Sequence, residues 1–255
     1  MSLFKIPFLV SGALAAWLAL TPPNPPPSPK EIVKKTGMER SFGGFVRIHA
    51  LLWKVSPSRI DLVYPKTLTT SWQTSVLASI SIDIQRALAQ HNTSPFAERA
   101  GFGSMHDQTV HTYGPTLLFL VGWAALVLSG ALRLWCYLTL GRMFTYEVTI
   151  REGHELVTRG PYAYVRHPSY AGVAFGVLGT LLLHFGPGSW FYDGGWFGTR
   201  SGLLYSVFWA CMEAYVLISI MMRCPKEDEL LMDQFRDEWK AWAEKVPYRI
   251  CPGIF

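Results

Sequence analysis

Two short polar blocks stand out against a strongly apolar chain: EGHELVTRGPYAYVRHPSYAG over residues 152–172 and RCPKEDELL over residues 223–231. The first offers His154, His167, Tyr162 and Tyr170, hydrogen-bonding groups with flat rings that stack on a base or sit against a cation. Pro161 and Pro168 fix their own backbone angles and push the residue before each away from helical geometry, so the loop is stiff. Gly160 and Gly172 permit tight turns and close approach of a ligand. Such a loop suits a small polar molecule held against a helix bundle. In the second block Arg223 and Glu227 are one helical turn apart and share a helix face. Arginine suits a carboxylate or phosphate there, and glutamate suits hydroxyls or an ammonium. Taken alone, the pair is equally an ordinary helix ion pair. Both blocks adjoin the ends of apolar segments, so they can meet although about fifty residues separate them. Charged groups at membrane depth are expensive and face a partner or a wet cavity.

The elements that must position these groups are membrane helices. Half of the 255 residues are hydrophobic and 16% are charged, where a soluble domain carries about 25% charged residues. Ten Trp and eleven Tyr add residues that favour the membrane–water interface. A spanning helix needs about 20 mostly apolar residues. Leu3–Leu20, Thr116–Leu140, Tyr170–Phe185 and Ser201–Met222 meet or approach that length. Ser71–Leu88 is a weaker candidate, interrupted by Asp83 and Arg86. The first segment reads as a retained helix rather than a signal peptide, followed by the stiff spacer PPNPPPSP. The loops after it and after the Thr116 segment are rich in Lys and Arg, and the positive-inside rule puts both in the cytosol. Five spans reconcile the two loops, with the N-terminus outside and the C-terminal tail in the cytosol.

The expected fold is therefore all-α, a polytopic transmembrane helix bundle of about five spans with a cytosolic C-terminal region. Residues 1–114 form an N-terminal membrane region with two spans and a Pro-rich, basic cytosolic loop. Residues 115–255 form a core with three spans. Residues Lys226–Lys245 place Leu230, Leu231, Phe235, Trp239 and Trp242 at helical spacing and read as one amphipathic helix stopped by Pro247. The loop GPGSWFYDGGWFGTR, residues 186–200, would put Trp190, Phe191, Trp196 and Phe197 into headgroups on the other side.

Other functions find little support. The net charge of +5 forms no basic stripe with interleaved aromatics, which argues against nucleic acid. Cys136, Cys211, Cys224 and Cys251 are scattered without CxxC or nearby His, so no metal site or disulfide framework is expected. CPGIF puts Cys251 fifth from the end and is no prenylation box. Glu213 reads as a hydrogen bonder inside the bundle, Asp83 and Arg86 as structural, and His184 as interfacial. His49, His91, His106 and His111 show no metal spacing.

HELVTRGPYAYVRHPSY before an apolar helix, then RxxxED, an amphipathic helix and VPYRICPGIF, resembles the isoprenylcysteine carboxyl methyltransferases over roughly residues 115–255. The resemblance implies a multi-pass endoplasmic reticulum enzyme with its active site facing the cytosol. Its cofactor would be S-adenosyl-L-methionine, used to methylate the carboxylate of a C-terminal prenylated cysteine whose lipid tail enters from the membrane lipid. It further implies that His154, Glu155, Leu156 and Val157 form the first cofactor-contacting block and that Tyr162 contributes beside them. His167, Pro168, Ser169 and Tyr170 form the second block, and Glu227 is the acidic cofactor ligand. Arg223 would hold the substrate carboxylate, assisted by Arg166. A further polar cofactor contact falls to Glu147 or Thr149. Asp228 stands where the family usually has a second Glu, with a side chain one methylene shorter. The rivals are a methyltransferase acting on a phospholipid amine, which needs no carboxylate-binding arginine, a sterol-reductase-like NADPH enzyme, and a non-catalytic scaffold.

Overall fold

The structure, a computed structural model, describes residues 3–21, 23–24, 80–81, 83–84, 115–145 and 153–253. Glu147, Thr149, Arg86 and nearly all of Ser71–Leu88 lie outside them. So do His49, His91, His106 and His111. Helix α1 spans Ile6–Leu20 and starts with Pro7 in its first turn, where a missing N–H costs nothing. Helix α2 spans Leu117–Leu140. Thr116 caps it, its hydroxyl oxygen accepting from Phe119 N at 3.1 Å. Helix α3 spans Pro168–Phe185, helix α4 Arg200–Phe235 and helix α5 Asp237–Lys245. Among the described residues four stretches are long and apolar enough to cross a membrane: Leu3–Leu20, Leu117–Met143, Pro168–Asp193 and Arg200–Phe235. These correspond to four of the expected spans. The fifth, Ser71–Leu88, contributes only four described helical positions, of which Ile80 joins the core formed by Leu9, Phe119, Leu126, Leu183 and Trp209.

Small residues bring the first three helices together. A Cβ on Gly130 would lie 2.8 Å from Ala15 O, and one on Gly179 would lie 2.7 Å from Gly122 O. The α1–α2 and α2–α3 crossings are thus backbone against backbone, as membrane helices pack when no hydrophobic drive separates them from lipid. Leu14, Trp17, Leu117, Leu128 and Leu138 point outward and are exposed, the face a bilayer would cover.

Helix α4 decides where the chemistry sits. Its 36 residues extend about 54 Å at 1.5 Å per residue, against a hydrocarbon core of about 30 Å. The helix continues through Pro225, so its length carries the segment bearing Arg223, Glu227 and Asp228 toward one end of the bundle. The sequence reading of one amphipathic helix over Lys226–Lys245 is corrected here. Residues up to Phe235 belong to α4, and the chain turns at Arg236, a non-glycine residue with φ +48. The apolar periodicity hides this break because both helices serve the same end of the bundle. Leu230 and Leu231 line a cleft there, and Trp242 of α5 joins a buried cluster beside it.

The opposite end is closed by aromatic residues. Phe191 is buried in contact with Phe185, Phe197 and Tyr205. His184, expected at the interface, is instead buried, with Tyr205 Oη at 3.2 Å from its Nε2. Trp190 N donates to Asp83 Oδ1 at 2.6 Å, the structural role expected for that acid. Glu213 is buried and accepts from Trp209 Nε1 at 3.1 Å, again as expected.

Candidate active site

The stiff loop folds as its prolines and glycine require. Gly160 opens a 3-10 turn, Gly160–Ala163, at φ +61, and a Cβ there would lie 2.9 Å from Thr139 Oγ1. That turn buries Tyr162, whose carbonyl accepts from Trp242 Nε1 at 3.1 Å. Tyr162, Cys136, Tyr137, Phe144, Trp242 and Val246 form one buried cluster, so α2, the loop and α5 share a small core. Burial first, and then neighbouring Cys136, Glu227 and Tyr170, hold the Tyr162 phenol well above its ordinary pKa, so it stays a neutral hydroxyl.

Pro168 occupies the first turn of α3 and is fully buried. His167 stands at the N-cap position but makes no side-chain cap hydrogen bond, which leaves both ring nitrogens for other partners. Those partners are the adjacent acids of α4. His167 Nε2 lies 3.1 Å from Asp228 Oδ1, and Nδ1 lies 3.4 Å from Glu227 Oε2. Tyr170 Oη donates a short hydrogen bond to Glu227 Oε1, and its ring stacks on His167 at 5.6 Å. Arg223 Nη2 reaches the same Oε1 at 3.4 Å. Burial alone would lower the His167 pKa, but the hydrogen bonds and charges of Asp228 and Glu227 outweigh it and raise the pKa above its ordinary value. His167 thus lies between two carboxylates that favour its charged form.

Asp228 is likewise held by three side chains, His167 and two arginines. Arg166 Nη1 lies 3.5 Å from its Oδ2, and Arg249 Nε lies 3.1 Å from the same oxygen. Backbone pairing fixes this arrangement: Arg166 N donates to Tyr248 O at 3.0 Å and His167 N to Arg249 O at 2.7 Å. The segment after α5 is thus laid along the loop that begins α3. Arg166 packs over Trp239 at 5.6 Å and donates from Nη2 to Pro247 O at 3.2 Å. Its Nε is buried without a hydrogen-bond partner.

A cleft of about 930 Å³, open solvent at its mouth included, lies against this network. His154, Glu155, Leu156 and Val157 line one part of it in irregular backbone. Tyr162, Arg166, His167, Ser169, Tyr170 and Glu227 line another. Burial lowers the His154 pKa, and the Nδ1 of this neutral ring is buried without a hydrogen-bond partner. Among the described residues, every candidate read from the sequence borders the cleft except two. Pro168 lies buried at the start of α3, and Arg223 reaches the site through Glu227. Among the described residues no group of three His, Cys, Asp or Glu is arranged to hold a metal ion.

Sequence reasoning passed over Arg249 and gave Asp228 no role of its own. It also passed over Arg133, buried where α1, α2 and α3 meet. The Arg133 guanidinium donates to Ala19 O, to Tyr137 Oη at 3.0 Å and to Ser169 Oγ at 3.0 Å. A single arginine in an otherwise apolar run was the available signal, since such a charge faces a partner inside the bundle.

With this geometry in hand, comparison with known proteins is informative. Residues 120–191 match the isoprenylcysteine carboxyl methyltransferase (ICMT) family. Protein-S-isoprenylcysteine O-methyltransferase B of Arabidopsis thaliana is 30% identical over 128 residues, 49% of this chain and 55% of that protein. Protein-S-isoprenylcysteine O-methyltransferase of Tribolium castaneum is 26% identical over 210 residues, 80% of this chain and 63% of that protein. The Schizosaccharomyces pombe protein of the same name is 34% identical over 110 residues, 42% of this chain and 38% of that protein. The matches to the first two relatives thus span between about half and two thirds of those proteins' own lengths. The stretch matched to the methyltransferase family covers α2, the stiff loop and α3, which is one wall of the cleft. Glu227, Asp228 and Arg249 lie beyond it; the two acids meet His167 of the family-matched wall, and Arg249 meets Asp228 with its side chain and His167 N with its carbonyl.

Proposed function

We propose that this chain is a membrane methyltransferase that esterifies the C-terminal carboxylate of prenylated cysteine, with S-adenosyl-L-methionine as cofactor. The observation that carries this reading is Arg166, which borders the cleft with a buried, unpartnered Nε beside the paired acids of α4. Arginine is the side chain suited to a planar carboxylate.

The cleft fits the cofactor by its donor set. Glu227 offers a carboxylate to an ammonium or to hydroxyls, His154 offers a buried ring nitrogen lacking a partner, and Leu156 and Val157 offer apolar surface to a base. His154, Glu155, Leu156, Val157, Tyr162, His167, Ser169, Tyr170 and Glu227 would hold it, with Pro168 fixing the backbone behind. When bound, S-adenosyl-L-methionine supplies a methyl on a cationic sulfonium, which passes to a carboxylate oxygen while the breaking C–S bond leaves its electron pair on sulfur.

The chain's residues then have little proton chemistry to do. A carboxylate is ionised at neutral pH, its reference pKa being about 4, so no general base is required. Arg166 orients the carboxylate, with Arg223 acting beside it through Glu227. Tyr162 remains a neutral donor, and the shared His167 fixes Glu227 in place. Holding the reactants in register accounts for much of the rate in such a reaction. The prenyl tail enters from the membrane lipid. The proposed location is the endoplasmic reticulum membrane, with the cleft on the cytosolic side, a reading supported by the resemblance and by the basic loops.

The decisive experiment is methyl transfer from labelled S-adenosyl-L-methionine to N-acetyl-S-farnesylcysteine by the purified protein. Transfer to the carboxylate supports the proposal. Transfer only to a phospholipid amine, or tight binding of NADPH in place of S-adenosyl-L-methionine, overturns it.

A further inference from the structure

Asp228 Oδ2 is claimed by two guanidiniums of unequal standing. Arg249 holds it at 3.1 Å, while Arg166 holds it at 3.5 Å. Arg166 borders the cleft and keeps a buried Nε without a partner, whereas Arg249 sits behind, anchored by the pairing of its carbonyl with His167 N. Asp228 is itself buried and does not border the cleft. A buried carboxylate that loses a cation without replacement is strongly destabilised. Arg166 can therefore be lent to another anion only if something else keeps Asp228 compensated.

We infer that Arg249 is a positioning residue: it holds the Asp228 carboxylate so that Arg166 can leave it for the carboxylate of a bound substrate. His167 on Oδ1 and Arg249 on Oδ2 stay with Asp228 throughout. Glu227 is occupied by His167, Tyr170 and Arg223, so it does not compete for Arg166. Once the substrate is esterified it carries no charge at that position, and Arg166 returns to Asp228. The guanidinium thus alternates between an internal and an external carboxylate of like charge, which lowers the cost of releasing a neutral product. This inference rests on the proposal that the substrate is a carboxylate.

The test is the affinity ratio of N-acetyl-S-farnesylcysteine to its carboxamide, titrated by tryptophan fluorescence in detergent. Both ligands carry the same lipid, so the ratio reports the carboxylate alone, and thermal unfolding of each variant checks its fold. The wild type should prefer the acid. Arg249→Gln should cut that preference about tenfold, the scale of one charge pair lost from a buried site, and Arg249→Lys should cut it less. Asp228→Asn placed in the Arg249→Gln background removes the competing charge and should restore the preference to within about threefold of wild type. An unchanged ratio in Arg249→Gln overturns the inference, as does a double variant no better than Arg249→Gln or a wild type without acid preference. Methyl transfer by the wild type is scored separately. Acid preference without transfer sinks the proposed function and leaves the positioning role standing, and transfer with an unaffected Arg249→Gln ratio does the reverse.

Discussion

His167 presents Nε2 to Asp228 Oδ1 at 3.1 Å, and this contact joins the first turn of α3 to a helix that begins thirty-two residues later, Arg200 against Pro168. Its pKa, raised above the ordinary value, gives the contact a pH signature. A histidine whose folded pKa exceeds its unfolded pKa, about 6.5, contributes stability that is full below that value and lost as pH rises through the folded one. The unfolding temperature in detergent should therefore fall as pH rises from about 6.5 through the raised pKa. His167→Gln should flatten this slope. His154, its pKa lowered by burial, acts in the opposite sense, its cost to stability fading as pH rises through about 6.5. An equal slope in wild type and His167→Gln would place the titration elsewhere.

Glu227→Gln keeps the shape of the cofactor-side acid and removes its charge. Calorimetry should show S-adenosyl-L-methionine binding weakened by about tenfold or more, as expected for loss of a charge-assisted partner in a buried site. His167→Ala should weaken it as well, because the ring fixes Glu227 at 3.4 Å. Cofactor binding unchanged in both would move the cofactor out of this cleft.

Arg166→Ala and Arg223→Ala separate the two arginines. Both should lower kcat/KM with the farnesylcysteine substrate by at least about tenfold. Arg166 borders the cleft, so its loss should appear chiefly as raised KM with cofactor affinity within about threefold of wild type. Arg223→Ala should likewise damage substrate use more than cofactor binding. Full activity in both variants would remove the carboxylate-binding role from this pair.

Arg133→Met tests the junction of α1, α2 and α3. The change leaves Ala19 O, Tyr137 Oη and Ser169 Oγ without their shared donor. The expected loss is about 1–3 kcal/mol of stability, read as a lowered unfolding temperature. Gly179→Val should be comparably damaging by a different route. Its added carbon would lie 2.7 Å from Gly122 O and force α2 and α3 apart, and overpacking of this kind costs about 1–3 kcal/mol. A variant as stable as wild type would contradict the close crossing.

Much of this was legible in the residues themselves. Length and apolarity placed α1 and α2 almost to the residue, because a bilayer imposes one length on any helix that crosses it. GPYAYVRHPSY announced a rigid loop through its prolines and glycine, and its His167, Tyr170 and Arg166 do border the cleft. Arg223 and Glu227 were readable by their four-residue spacing. Asp228 and Arg249 were not, since their contact spans twenty-one positions across a helix break with no periodicity to reveal it. The turn at Arg236 was hidden for the same reason, and the burial of His184 depended on where Tyr205 would fall.

The placement of Arg249 also orders the events of biogenesis. Synthesis runs from the N-terminus, so the four long apolar helices among the described residues have been made before α5 and the segment bearing Val246–Arg249 emerge. Insertion into the bilayer and completion of the active site are therefore separate events, and the second waits for the first. A chain stopped just after Phe235 would retain its membrane helices while lacking Trp242 beneath Tyr162 and Arg249 on Asp228. Such a product would pass as an inserted membrane protein and yet lack the contacts that complete the candidate site, so residues 236–249 separate a membrane anchor from the proposed enzyme.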